Sequence, residues 1–236
     1  SVTGPLGKGT VAQLVGERAC ESAAADAALG RLTARIGAPR PIRVTVADWP
    51  FANAFAGPGG EIVLTRGLIE KASGPDEVAG VLAHEIGHVA HHHPTQALLR
   101  YYGVSLLAGS VGGRSAELAD VGLALASTRE AEREADAHAL RALAAADVST
   151  AGLAAFFERQ LEGRGAAAEP EDGVQKMLAE VGSWARTHPA DAERLAAIRA
   201  AGAETGARPA MSGADWAALK AACASRPAGG GAEGAD

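Results

Sequence analysis

The chain has 236 residues, 47% of them hydrophobic, with 28 acidic against 22 basic side chains and a formal net charge of −6. That length supports one well-buried core. The acidic balance argues against nucleic acid as a partner, because phosphate binding needs a basic face. No apolar run reaches the ~20 residues that span a bilayer.

In chain order, residues 10–36 read as a helix. Leu14, Ala25, Leu29, Leu32 and Ile36 recur at helical intervals, and Gly37 with Pro39 stops them. Ile42, Val44 and Val46 alternate with Arg43 and Thr45, as in a half-buried strand. Residues 53–56 predict a second short strand, Gly57-Pro58-Gly59-Gly60 a turn, and Ile62-Val63-Leu64 a third strand. With few aromatics and abundant alanine, the prediction is a mainly α fold with a small antiparallel β-sheet.

Ser73-Gly74-Pro75-Asp76-Glu77 has the cap, proline and acids of a helix start. This helix is predicted to run to about His93, where Pro94 ends it. Further helices are predicted at 95–110, 116–145, 150–162, 174–185, 190–201 and 213–223. Residues 163–173 read as a mobile loop and 226–236 as a disordered Gly/Ala tail, which leaves 1–225 as a single domain. Residues 101–113 sit between the candidate ligand helices, as a lid, as a contact with a membrane surface or as core packing.

The chain starts at Ser1 without a methionine, which reads as a processed protein or an excised domain; a longer parent chain would have room for a membrane anchor. Cys20 and Cys223 lie near opposite ends and in no metal-ligand spacing. Two readings stand: free buried thiols, or a disulfide joining the first helix to the last. The disulfide would stabilise by about 4–5 kcal/mol in the chain-entropy model and imply an oxidising compartment.

The chemistry concentrates in His84-Glu85-Ile86-Gly87-His88. Residues four apart share a helix face, so both imidazoles reach one ion, while Glu85 stands beside it. Val78, Leu82, Ile86 and Val89 form an apolar stripe on the opposite side. Gly87 in mid-helix costs about 1 kcal/mol relative to alanine, which suggests close approach by another element. Two histidines do not complete a catalytic zinc site. A third histidine ten positions after the first is ruled out, because that position is Pro94. A carboxylate from another helix remains: Glu117, Glu130, Glu132 or Glu134. Glu132 with Asp136 and Glu130 with Glu134 are equally spaced pairs, and spacing alone does not choose between them.

The motif at 84–88 followed by Glu132-x-x-Ala135-Asp136 resembles the zinc metallopeptidase family of HtpX, BepA and the type I CAAX prenyl endopeptidase. The resemblance implies a zincin-like metallopeptidase domain holding one Zn²⁺, with His84, His88 and Glu132 as ligands and Asp136 orienting a ligand histidine. It implies Glu85 as general base and a protein or peptide substrate. Asn53-Ala54-Phe55-Ala56 before its turn resembles the family's edge strand, so Asn53, Ala54 and Phe55 are expected at the substrate; plain strand packing is the alternative for Phe55. Thr187-His188-Pro189 with Arg194 resembles the family's C-terminal Ser/Thr-His-Pro element, which makes His188 the candidate oxyanion donor.

Without spanning helices around the motif, the likeness points to the soluble or singly anchored branch of the bacterial cell envelope, on the periplasmic side. A rival reading is a zinc-containing binding module that does not cleave. His91-His92-His93 reads as a solvated helix end, since consecutive residues on a helix diverge. Trp184 and Trp216 read as packing residues.

Overall fold

The computed structural model describes residues 15–39, 41–107, 128–162, 184, 188, 191–201 and 208–224, with 101–107 described by backbone alone. The expected loop at 163–173, the tail from 226, the helix at 174–185 apart from Trp184, residues 10–14, 108–113 and 116–127 with Glu117, and Thr187 and Pro189 lie outside the described residues.

Among the described residues the fold is mainly helical with one small sheet. After a short 3₁₀ turn at Gly16–Arg18 come α1 (Ala23–Ile36), β1 (Arg43–Ala47), β2 (Ala54–Gly57), β3 (Glu61–Thr65), α2 (Arg66–Lys71) and α3 (Pro75–Ala90). They are followed by α4 (His93–Leu107), α5 (Arg129–Ala145), α6 (Ala151–Glu162), α7 (Ala192–Ala201) and α8 (Gly213–Lys220).

Among the described residues the helix predicted over 10–36 is interrupted at 16–22 before α1 begins. Ser22 caps it by accepting from the Ala25 amide, and Gly16 takes a left-handed φ of 50°. Cys20 instead donates its amide to Val46, so this stretch runs along β1.

The sheet is three-stranded in the order β1-β3-β2, and it is mixed rather than wholly antiparallel. β2 and β3 form the expected antiparallel hairpin, with Phe55 opposite Val63, while β1 runs parallel to β3, with Val44 opposite Ile62. The reason is the path of the chain. It reverses between β1 and β2 and again at the hairpin, so β3 regains the direction of β1. β3 is buried along its whole length, with apolar Ile62, Val63 and Leu64 between Glu61 and Thr65, and takes the centre. β2 is left at an edge.

α3 lies at the middle of the core. Val78, Val81, Leu82 and Ile86 are fully buried against a cluster that includes Leu143, Leu153, Phe156 and Phe157. Each such side chain contributes about 1.5–3 kcal/mol relative to exposure. Two glycines set how closely its neighbours approach. A Cβ on Gly87 would lie 2.8 Å from the Ala135 backbone of α5, and one on Gly80 would lie 2.8 Å from Leu153 of α6. Gly87 therefore serves the close approach that its mid-helix position suggests.

α3 also ends earlier than predicted, at Ala90. His92 adopts φ 61°, and Pro94 falls in the first turn of α4 instead of terminating α3. Away from the crossing of the motif helix, α8 packs on α1, and Cys20 and Cys223 are joined by a disulfide.

Candidate metal centre

α3 and α5 cross at Gly87, and that crossing assembles the site. The Thr128 hydroxyl caps α5 by accepting from Ala131, which sets the helix phase and turns Glu132 and Asp136 inward. His84, Glu85 and Glu132 are completely buried, and His88 nearly so. His84 Nε2 lies 3.0 Å from His88 Nε2 and 3.5 Å from Glu132 Oε2, and His88 Nε2 lies 3.4 Å from Glu132 Oε1. His188 joins them, its Nδ1 3.1 Å from Glu132 Oε1 and its Nε2 3.4 Å from Glu85 Oε1. One ligand atom from each of His84, His88, Glu132 and His188 fits within 4.8 Å of every other.

Of the two acid pairs that spacing leaves open, Glu132 and Asp136 face the histidines from within. Glu134 is half exposed, and Glu130 lines the cleft. Asp136 Oδ1 lies 2.9 Å from His84 Nδ1, the position of a group that orients this ring.

Arg194, at the start of α7, is nearly buried and reaches both acids. Its Nε and Nη2 bond the two Asp136 oxygens at 2.6 and 2.8 Å, and Nη1 lies 2.8 Å from Glu132 Oε2. From sequence it stands out only through its spacing from His188; the burial of its guanidinium between two acids is a tertiary fact. Trp184 is likewise more than packing. Its ring stacks on His188 with centroids 4.7 Å apart, and its carbonyl accepts from the His188 amide at 2.7 Å.

The expected substrate residues separate. Phe55 and Ala56 line a cleft of about 380 Å³ that also touches Glu85, His88 and His188. Asn53 is buried at the hairpin's end, where its carbonyl accepts from the Thr65 amide and its Oδ1 from the Ala54 amide. Ala54 is buried opposite Leu64. Phe55 also packs on Trp49 and Val63. Of the expected solvated helix end at His91–His93, His92 is exposed and His91 half-buried, but His93 is 7% exposed and bonded on both ring nitrogens.

The electrostatics suit a divalent cation. The carboxylates of Glu85, Glu132 and Asp136 face one guanidinium, Arg194, so buried negative charge is in excess. Neither Glu85 oxygen receives a hydrogen bond from the described residues. Burial pulls the His84 imidazole down, but Asp136 and Glu132 outweigh it and push it up to about 9. Burial, only partly opposed by Glu132, pulls His88 down to about 3. Burial raises the Glu132 carboxyl, yet His188 and the two motif histidines hold it well below its ordinary range. Two imidazole nitrogens and a carboxylate converging beside a second, unsatisfied carboxylate are a donor set that suits a zinc ion.

The family model of peptidase family M48 matches residues 20–201. The metalloprotease LoiP of Escherichia coli is 32% identical over 171 residues, 68% of this chain and 62% of that protein. The mitochondrial metalloendopeptidase OMA1 of Schizosaccharomyces pombe is 29% identical over 156 residues, 63% of this chain and 43% of that protein. A putative beta-barrel assembly-enhancing protease of Vibrio cholerae is 33% identical over 124 residues, 45% of this chain and 26% of that protein. The chain thus spans between about a quarter and three fifths of the length of these relatives. It belongs to peptidase family M48, and its buried cluster of His84, His88, Glu132 and His188 is a group that could hold a metal ion.

Proposed function

We propose that this chain is a zinc-dependent endopeptidase acting on protein or peptide substrates, with His84, His88 and Glu132 as ligands and Glu85 as general base. The observation that carries it is the position of Glu85: a fully buried carboxylate without a hydrogen-bond donor among the described residues, beside the point where His84, His88 and Glu132 converge. When bound, zinc supplies a Lewis acid for the scissile carbonyl and brings the pKa of water towards about 7.

The chain's own residues do the rest. Glu85 takes the proton of the attacking water and returns it to the leaving amine. Asp136 and Arg194 keep His84 and Glu132 oriented. His188, stacked on Trp184, donates to the developing oxyanion. In the resting protein the same ring is near enough to Glu132 and His88 to act as a fourth ligand, so it would give way as a carbonyl arrives. β2, at the sheet edge, offers a backbone to which an extended peptide adds as a strand, with Phe55 and Ala56 at the cleft wall.

The disulfide between Cys20 and Cys223 supports an oxidising compartment, and with the family this favours the bacterial envelope and a role in its protein quality control. No helix among the described residues is long and apolar enough to cross a membrane.

The test is hydrolysis of casein. Glu85→Gln should retain one zinc per chain and lose about 10²–10⁴-fold in rate. Undiminished hydrolysis in that variant would sink the mechanism and leave a zinc-containing binding module as the better account.

A further inference from the structure

One buried histidine has no part in this chemistry. His93, at the start of α4, places Nδ1 2.9 Å from Nδ1 of His88 and Nε2 2.9 Å from Glu134 Oε2. The left-handed backbone at His92 swings this ring back under the motif helix. His88 meanwhile turns its other nitrogen, Nε2, towards His84 and Glu132.

Proton accounting restricts how these rings are arranged. A neutral imidazole has one N–H and one lone pair. A His88 that offers the Nε2 lone pair to a cation carries its proton on Nδ1, and that buried N–H needs an acceptor. The group in place is Nδ1 of His93. His93 then carries its own proton on Nε2, where Glu134 accepts it. The opposite assignment puts a proton on His88 Nε2, aimed at His84, and closes the site to a cation. His84 meets the same need more directly, through Asp136 2.9 Å from its Nδ1. Both ligand rings are therefore tied to carboxylates of α5, one directly and one through a second imidazole.

We propose that His93 is a positioning residue that, with Glu134, fixes the tautomer and orientation of His88. The proposal rests on the reading of His84, His88 and Glu132 as zinc ligands. His91 Nδ1 lies 3.8 Å from Glu134 Oε2, so His91, His93 and Glu134 also outline a second cation site. The same proton count opposes that use. A cation on His93 Nε2 would force the ring proton onto Nδ1, against the N–H of His88.

The experiment measures zinc affinity by competition with a chromophoric chelator, zinc stoichiometry, and thermal unfolding with saturating zinc, on the full chain. His93→Phe keeps a ring but removes the acceptor, and should weaken zinc by about 10–100-fold. His93→Asn places an oxygen near the Nδ1 position and should recover most of that loss. Glu134→Leu, which removes the acceptor at the solvent end, should weaken zinc less than His93→Phe, and carries the test if the Phe variant does not fold. The proposal is overturned by unchanged affinity in His93→Phe or Glu134→Leu, or by equal losses in the Phe and Asn variants, which would mean a packing role. It is also overturned by a second zinc equivalent that His91→Ala removes. Failure of the ligand assignment itself looks different: His84→Ala would then keep its zinc.

Discussion

The α3–α5 crossing and the α1–α8 corner are held together in opposite ways. At the crossing, buried charged and titratable groups meet: Glu132, Asp136, Arg194 and the histidines, within hydrogen-bond reach of one another and shielded from water. At the corner the polar contacts are exposed, as in the ion pair of Arg31 with Asp215, and a covalent bond between Cys20 and Cys223 joins the elements. Exposed ion pairs contribute little, whereas a buried charge without its partner is costly. Damage at the crossing should therefore remove chemistry, and damage at the corner should remove stability while the folded fraction keeps its activity.

The sharpest way to break that contrast is to remove the metal. Chelation of zinc, or His84→Ala, should abolish casein hydrolysis and leave the disulfide intact by free-thiol assay; zinc should restore the chelated protein but not the variant. Hydrolysis that survives chelation would erase the distinction. At the corner, replacing both Cys20 and Cys223 with alanine should cost about 2–5 kcal/mol in denaturant unfolding. The kcat of the folded fraction should be unchanged, and a parallel loss of kcat would show that the two regions are coupled.

Gly87→Ala probes the crossing without touching a charge. Its Cβ would meet the Ala135 backbone at 2.8 Å. Overpacking should cost about 1–3 kcal/mol, against about 1 kcal/mol regained in helix propensity. Zinc affinity should fall more than unfolding stability, because the displaced helix carries Glu132. Calorimetry with and without zinc separates the two.

The smallest effect belongs to Asp215→Asn. The Arg31 hydrogen bond, against a weaker desolvation, holds the Asp215 carboxyl below its ordinary value. A depressed folded-state value stabilises above the unfolded value of about 3.9 and loses that contribution as pH falls through the folded one. The variant should melt slightly lower at neutral pH, and the difference should vanish in stronger acid. A difference that grows on acidification would reverse the sign.

How much of this is legible in the sequence follows from how local each signal is. His84, Glu85 and His88 lie within five residues, so helix periodicity alone puts the imidazoles on one face and the glutamate beside them. Glu132 lies beyond that reach. Its rival Glu134 has equally good spacing, and only the family resemblance favours Glu132, because the choice depends on how α5 is phased against Gly87. His93 is misread for a related reason. Its neighbours look like a continuing helix, and a single left-handed residue at His92 redirects the ring. The sheet's parallel pairing escapes local reading too, since alternation marks a strand but does not name its neighbour. Asn53 and Ala54 resemble substrate residues by position, and local reading does not show that they are also buried and hydrogen-bonded at the end of the hairpin.

The central claim is that one divalent cation is held between α3 and α5. Anomalous diffraction at the zinc edge on crystals of the zinc-loaded protein tests it most directly. The account predicts a single strong peak about 2.0–2.1 Å from the Nε2 atoms of His84 and His88 and about 2.0–2.2 Å from a Glu132 oxygen. A principal peak elsewhere, or one that Glu132 does not reach, would contradict it.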